Sequence, residues 1–150
     1  MARVKVSSEM PESVERIFGL FTDIEHAAQH VSGIKKTEML TTGKFSRGTR
    51  WLETREVLGR LDTAEMEVTA FDTNHSYTIT HHKGGVRIDT IFTFEPIPSG
   101  TKLSIEFALN SQGLPPGLLS PLEWAIAGKV RDVLGHDLAD LKTSVDRILR

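Results

Sequence analysis

One hundred and fifty residues with 18 Lys and Arg against 20 Asp and Glu carry a formal charge of −2, which offers no general attraction for a phosphate backbone and argues against nucleic-acid binding as the main role. The absence of cysteine removes disulfides, thiolate nucleophiles and cysteine-type zinc or iron–sulfur sites. A hydrophobic share of 39% beside 25% charged residues is ordinary for a folded chain, read here as a single domain over residues 1–150.

The first residues, MARVKVSSEM, lack the apolar run of a secretory signal, so the expected location is the cytoplasm. No window approaches the roughly 18 apolar residues of a membrane span. Ala2 to Glu9 alternate, Val4 and Val6 opposite Arg3 and Lys5, and predict an edge-type strand. Pro11 suits the first turn of a helix, where its missing N–H costs nothing. Val14, Ile17, Phe18 and Phe21 then follow at helical spacing. Asp23 is the expected N-cap of a second short helix carrying Ile24, Ala27, Ala28 and Val31, closed by Gly33.

From Ile34 to Asn110 short runs of β-branched and aromatic residues are separated by Thr42-Gly43-Lys44, Gly59-Arg60, Asn74-His75, Lys83-Gly84-Gly85 and Pro98-Ser99-Gly100. The spacing predicts six strands near 34–41, 48–58, 61–71, 76–82, 86–95 and 101–109. Connections this short join only antiparallel neighbours. After Gly113-Leu114-Pro115-Pro116-Gly117, a helix is expected from about Pro121 to Leu149, roughly 43 Å long. Its apolar residues form two seams, Leu119, Leu122, Ile126, Val130 and Val133, then Leu134, Leu138, Leu141, Val145 and Ile148, turned roughly 80° apart. That offset predicts a kink or a change of packed face near Gly135-His136.

The layout is α+β: a seven-stranded curved antiparallel sheet wrapped around a long C-terminal helix, with two short helices between strands 1 and 2. The order resembles the helix-grip fold of START-like, polyketide cyclase/dehydrase (SRPBCC-type) proteins. The residues carrying the resemblance are Asp23-Ile24-Glu25, Gly33 to Leu40, Gly48-Thr49 with Gly59, Glu67 to Asp72, Phe94-Glu95-Pro96 with Gly100 to Leu103, and Asp137 to Lys142. It covers almost the whole chain. His30 departs from it, standing where the family often carries an aromatic residue. The resemblance implies a cavity between sheet and helix for a lipid, quinone or polyketide-like molecule, and in some members cyclisation, aromatisation or dehydration.

Alternation along the strands predicts a wall of Trp51, Met66, Val68, Tyr77, Ile79, Ile88, Thr90, Phe92, Phe94, Leu103, Ile105 and Phe107. Ile126, Val130 and the Leu114–Leu119 loop, including Leu118, would close the mouth. If Trp51 points inward, Glu53 and Arg55 become a cavity ion pair for orienting a polar group or moving a proton; otherwise they form a surface pair at the wet end of the sheet. Tyr77 and His81 share a face and are the remaining acid/base candidates, against a satisfied hydroxyl and a structural histidine. His26 and His30 share a helix face but lack the Glu of a helical zinc motif, and His81 and His82 point to opposite faces, so no metal and no cofactor is expected. Between Lys35 and Arg60 seven basic residues face three acidic ones, a bias that could steer an anionic ligand or belong to a solvated rim. The expected partner is a hydrophobic small molecule, with no integral membrane segment. A cofactor-free cyclase/aromatase or dehydratase, and a protein-partner module using the strand edge or the apolar loop, stand as alternatives; oligomeric state is not encoded legibly.

Overall fold

The computed structural model describes residues 2–57, 59–111 and 121–148. Its strands are β1 (Ala2–Met10), β2 (Ile34–Met39), β3 (Arg50–Val57), β4 (Arg60–Asp72), β5 (Ser76–Lys83), β6 (Val86–Ile97) and β7 (Gly100–Ser111); its helices are α1 (Val14–Phe21), α2 (Ala27–His30) and α3 (Pro121–Ile148). The strands form one antiparallel sheet in the order β1-β7-β6-β5-β4-β3-β2. Six strands follow one another as hairpins, and β1 closes the set on the far edge of β7, with Ala2 opposite Leu109 and Met10 opposite Thr101.

The turns are legible in their chemistry. Lys83 pairs with Val86 across Gly84 and Gly85, both at positive φ (58° and 79°), the backbone a two-residue hairpin of matching twist needs. Gly100, at φ 143°, opens β7 where a Cβ would stand 2.1 Å from the Met10 carbonyl oxygen, so no side chain fits there.

The helix starts differ from the sequence expectation. Pro11 lies before α1, which begins at Val14 because Ser13 caps it, its hydroxyl accepting from the Arg16 amide at 3.4 Å. All four apolar residues of the expected stripe, Val14, Ile17, Phe18 and Phe21, are buried. Asp23 makes no side-chain cap bond. Its carboxylate takes the His26 imidazole Nδ1 at 2.8 Å instead, and a 3₁₀ turn, Ile24–His26, precedes a single turn of α2.

α3 runs unbroken through Gly135 and lies chiefly against β1, with further contacts to β7 and α2. Leu138 and Val145 of the second seam are buried and Leu141 is half-buried, whereas Val133, expected on the first seam, is exposed. The other side chains of the first seam lie outside the described residues.

The core on the concave face is built around aromatic rings. Tyr77 stacks on Phe92 at 4.6 Å and meets Phe45 edge-on at 4.9 Å and Phe18 at 5.8 Å. Phe45 comes from the turn-rich segment between β2 and β3 and folds back over Trp51 and Phe71. A bulge between Val68 and Ala70 shifts the register of β4, so that Val68 sits opposite Ile79 and Phe71 opposite Tyr77, and both Val68 and Phe71 join the core.

Candidate functional site

β3 resolves the parity that its sequence leaves open. Trp51 is 1% exposed and Glu53 9%, while Glu56 on the opposite parity is exposed, so Trp51, Glu53 and Arg55 face the concave side. Cross-strand pairing of Trp51 with Met66 and of Glu53 with Ala64 continues that face into β4. Glu53 and Arg55 are therefore not the surface pair of the alternative reading.

Arg55 is held from two elements. Its Nε donates to Glu53 Oε2 at 2.9 Å, and its Nη2 reaches Asp137 Oδ2 on α3, also at 2.9 Å. Trp51 Nε1 donates to the other Glu53 oxygen at 3.4 Å. Gly33 borders the group, since a Cβ there would stand 3.4 Å from Arg55 Nη1 and 3.7 Å from Asp137 Oδ1. One guanidinium thus joins two carboxylates. Burial alone would lower the arginine's pKa, but Glu53 and Asp137 outweigh it and hold Arg55 above its ordinary value, so the cation is permanent. For Asp137 burial wins over the pull of Arg55 and raises its carboxyl above its ordinary value.

His81 lies on the same strand face as Tyr77 and Ile79 and feels the same group. Burial pushes its imidazole below the ordinary 6.5, Glu53 opposes that shift, and Arg55, Lys83 and His82 add to it. Its Nδ1 is buried without a hydrogen-bond partner, a costly state for a polar atom. The unfolded chain takes up a proton at His81 as the pH falls through 6.5, whereas the folded chain resists, so this residue subtracts stability on acidification. His81→Gln is expected to lose less melting temperature than the unaltered chain between pH 7.5 and 5.5. The raised carboxyl of Asp137 acts with the opposite sign, but it is common to both proteins and cancels in the comparison. Equal slopes in the two proteins would count against a buried neutral His81.

Tyr77 stands apart from this group in character. It is 1% exposed, its hydroxyl donates to the Phe21 carbonyl oxygen at 3.4 Å, and burial pushes its phenol far above the ordinary range. A hydroxyl committed in this way is the satisfied structural group of the alternative reading. Trp51 and Met66 are likewise buried in the core cluster, and Ile88 joins a second cluster with Val4, Val86 and Leu109. Ile79, Phe92 and Phe107, also on the concave face, are only half-buried. All three pack against the edge of the Tyr77 cluster, and Phe92 stacks on the Tyr77 ring itself. Leu118 and the side chains of Ile126 and Val130 lie outside the described residues.

Sequence reasoning did not single out Asp137 or Phe45 as site residues. Asp137 had a signal: it sits within the apolar stripe of α3, between Leu134 and Leu138, where a charge needs a partner. Phe45 had none beyond being an aromatic residue in a polar turn.

His82 is exposed on the convex face, beside a shallow cleft of about 230 Å³ lined by Arg50, Glu65, Glu67 and Thr80. An open cleft of about 520 Å³ lies outside the grip, between the start of α1 (Ser13, Val14, Glu15), the β4–β5 turn and the β6–β7 turn. Neither borders the Arg55 group. His26 is exposed and engaged with Asp23, and the His30 Nδ1 is buried without a partner. Among the described residues no group of three or more His, Asp or Glu side chains is placed to hold a metal ion, and no helix is long and apolar enough to cross a membrane. Between Glu53 and Asp137, the position a cation would take is filled by Arg55.

Known proteins now bear on this geometry. A crystal structure of TTHA0849 from Thermus thermophilus superposes with a TM-score of 0.77 at 17% identity, covering 96% of this chain and 97% of that one. A START superfamily protein from Mycobacterium smegmatis gives 0.75 at 18% identity, with 97% and 98% covered. The Zhui aromatase/cyclase from Streptomyces sp. R1128 gives 0.77 at 16% identity, with 99% and 96% covered. Likeness at these identities establishes the helix-grip fold alone. No curated protein sequence matches the chain. The family model described as polyketide cyclase / dehydrase and lipid transport matches residues 1–146, and the chain belongs to that family.

Proposed function

We propose that the chain binds a hydrophobic small molecule between the concave face of the sheet and α3, with the polar end of the molecule against His81 and the Glu53–Arg55–Asp137 group. The observation that carries this reading is the gradient along one sheet face. Tyr77 is enclosed by aromatic rings; at the edge of its cluster Ile79, Phe92 and Phe107 keep partial exposure, on the same sheet face as Glu53, Arg55 and His81. An apolar surface with a few convergent polar groups is the usual construction of a small-molecule site. Family membership supports the same class of ligand.

A second reading, a cofactor-free cyclase or dehydratase, is favoured by one observation. His81 combines an unpartnered ring nitrogen with a pKa held below 6.5, so it is neutral near pH 7 and able to accept a proton. In that reading His81 is the base, and Arg55 fixes the carboxylates around the reacting group.

Native mass spectrometry of freshly purified protein is expected to reveal a co-purifying lipophile that is lost or diminished in Arg55→Ala. If nothing co-purifies and no lipophile raises the melting temperature, both readings fail.

A further inference from the structure

The charge count of the buried group limits what its ligand can carry. Glu53 and Asp137 supply two carboxylates to a single guanidinium, and each carboxylate spends one oxygen on Arg55. A carboxylate has about four lone-pair sites over its two oxygens, so acceptor capacity remains on both after Arg55 and Trp51 are served. His81 adds the unpartnered Nδ1, an acceptor in the neutral tautomer that carries its proton on Nε2. Acceptor capacity therefore stands beside the N–H groups that Arg55 has not used, and the balance of two carboxylates to one guanidinium decides which ligand end fits. An anionic ligand end brought here would meet one attraction, from Arg55, against two repulsions from carboxylates at comparable range, in a partly buried site that solvent screens less than the surface.

From this balance we infer that the grip selects lipophiles ending in a neutral hydrogen-bond donor, a hydroxyl group, and rejects those ending in a carboxylate. The inference rests on the binding reading above and adds the chemistry of the ligand's polar end. The arginine is a positioning residue: it holds the Glu53 and Asp137 carboxylates in place, and their free oxygens receive the ligand's O–H. The intuitive alternative, an inward arginine as a carboxylate clamp, requires a guanidinium free for a bidentate contact. Arg55 has already given Nε and Nη2 to Glu53 and Asp137, so a ligand carboxylate reaching its remaining N–H groups would lie beside both of those carboxylates.

The test compares 1-decanol with decanoate at pH 7.5, each below its aggregation limit, by calorimetric titration and by thermal shift. The unaltered chain is expected to bind decanol more tightly than decanoate by at least about tenfold, the scale of one uncompensated charge in a partly buried site. Glu53→Gln combined with Asp137→Asn leaves Arg55 as a lone cation and is expected to reverse the order. That reversal separates charge selection from the greater lipophilicity of the alcohol, which no substitution alters. Should the double variant fail to fold, Asp137→Asn alone, with one cation on one carboxylate, is expected to narrow the gap. Decanoate binding as tightly as decanol to the unaltered chain, or an order unmoved by the variants, overturns the inference while leaving a lipophile site in place. If neither compound binds, the binding reading falls and the inference with it.

Discussion

Replacing Arg55 with methionine is expected to lower the unfolding free energy by about 3 kcal/mol, the usual scale for removing one partner of a buried ion pair. Glu53 and Asp137, each with a side chain about 10% exposed, would be left facing one another without their shared cation. The loss should shrink on acidification as Asp137, whose carboxyl burial already raises, takes up a proton. Combining Arg55→Met with Glu53→Gln and Asp137→Leu is expected to recover most of it. The glutamine carbonyl still accepts from Trp51 Nε1, and no charge remains to be buried. Urea unfolding of the single and triple variants measures both. A triple variant no more stable than Arg55→Met would show that the network holds the grip together through geometry that apolar packing cannot replace.

Tyr77→Ala is expected to cost about 3–5 kcal/mol, the range for truncating a buried aromatic residue. The ring touches Phe18, Phe45, Phe92 and Phe94, so its removal opens a void at the point where α1, the β2–β3 turn and the sheet meet. Tyr77→Phe should cost no more than about 1 kcal/mol, because the hydroxyl makes a single long hydrogen bond to the Phe21 carbonyl. It should also leave any co-purifying lipophile in place. Denaturant midpoints for the two variants, with native mass spectra of the second, check this. Loss of ligand in Tyr77→Phe with stability unchanged would return the phenol to the functional groups.

The fold was legible because its signals are local. Gly84-Gly85, Asn74-His75 and Gly100 mark hairpins by backbone chemistry, and the alternation between them marks the strands. The site was legible only in part. In β3 neither parity is apolar: Trp51 shares a face with Glu53 and Arg55, and Leu52 with Thr54 and Glu56, so periodicity cannot choose between them. The choice is made by Asp137, far along the chain, which gives Arg55 a second carboxylate to meet inside. Complementary charges at two positions that each look misplaced were the available clue, an acid in the apolar stripe of α3 and a base beside an inward tryptophan. The start of α1 falls after Pro11 because a preference for the first helical turn is weaker than a serine able to cap. Phe45 escapes a sequence reading because nothing local says that a turn folds back over the core.

The pairing of β1 with β7 alone has a consequence for the order in which the molecule is made. Ala2 waits for Leu109 and Met10 for Thr101, so β1 has no strand to join until about 100 further residues have been synthesised, roughly 5–20 s at ordinary elongation rates. The β2–β7 meander can form hairpin by hairpin as it emerges, but the edge that receives β1 is its last strand. α3, which lies against β1, comes later still. A chain whose first strand and last helix complete the same side has high contact order, and its slow step is the closing of that side.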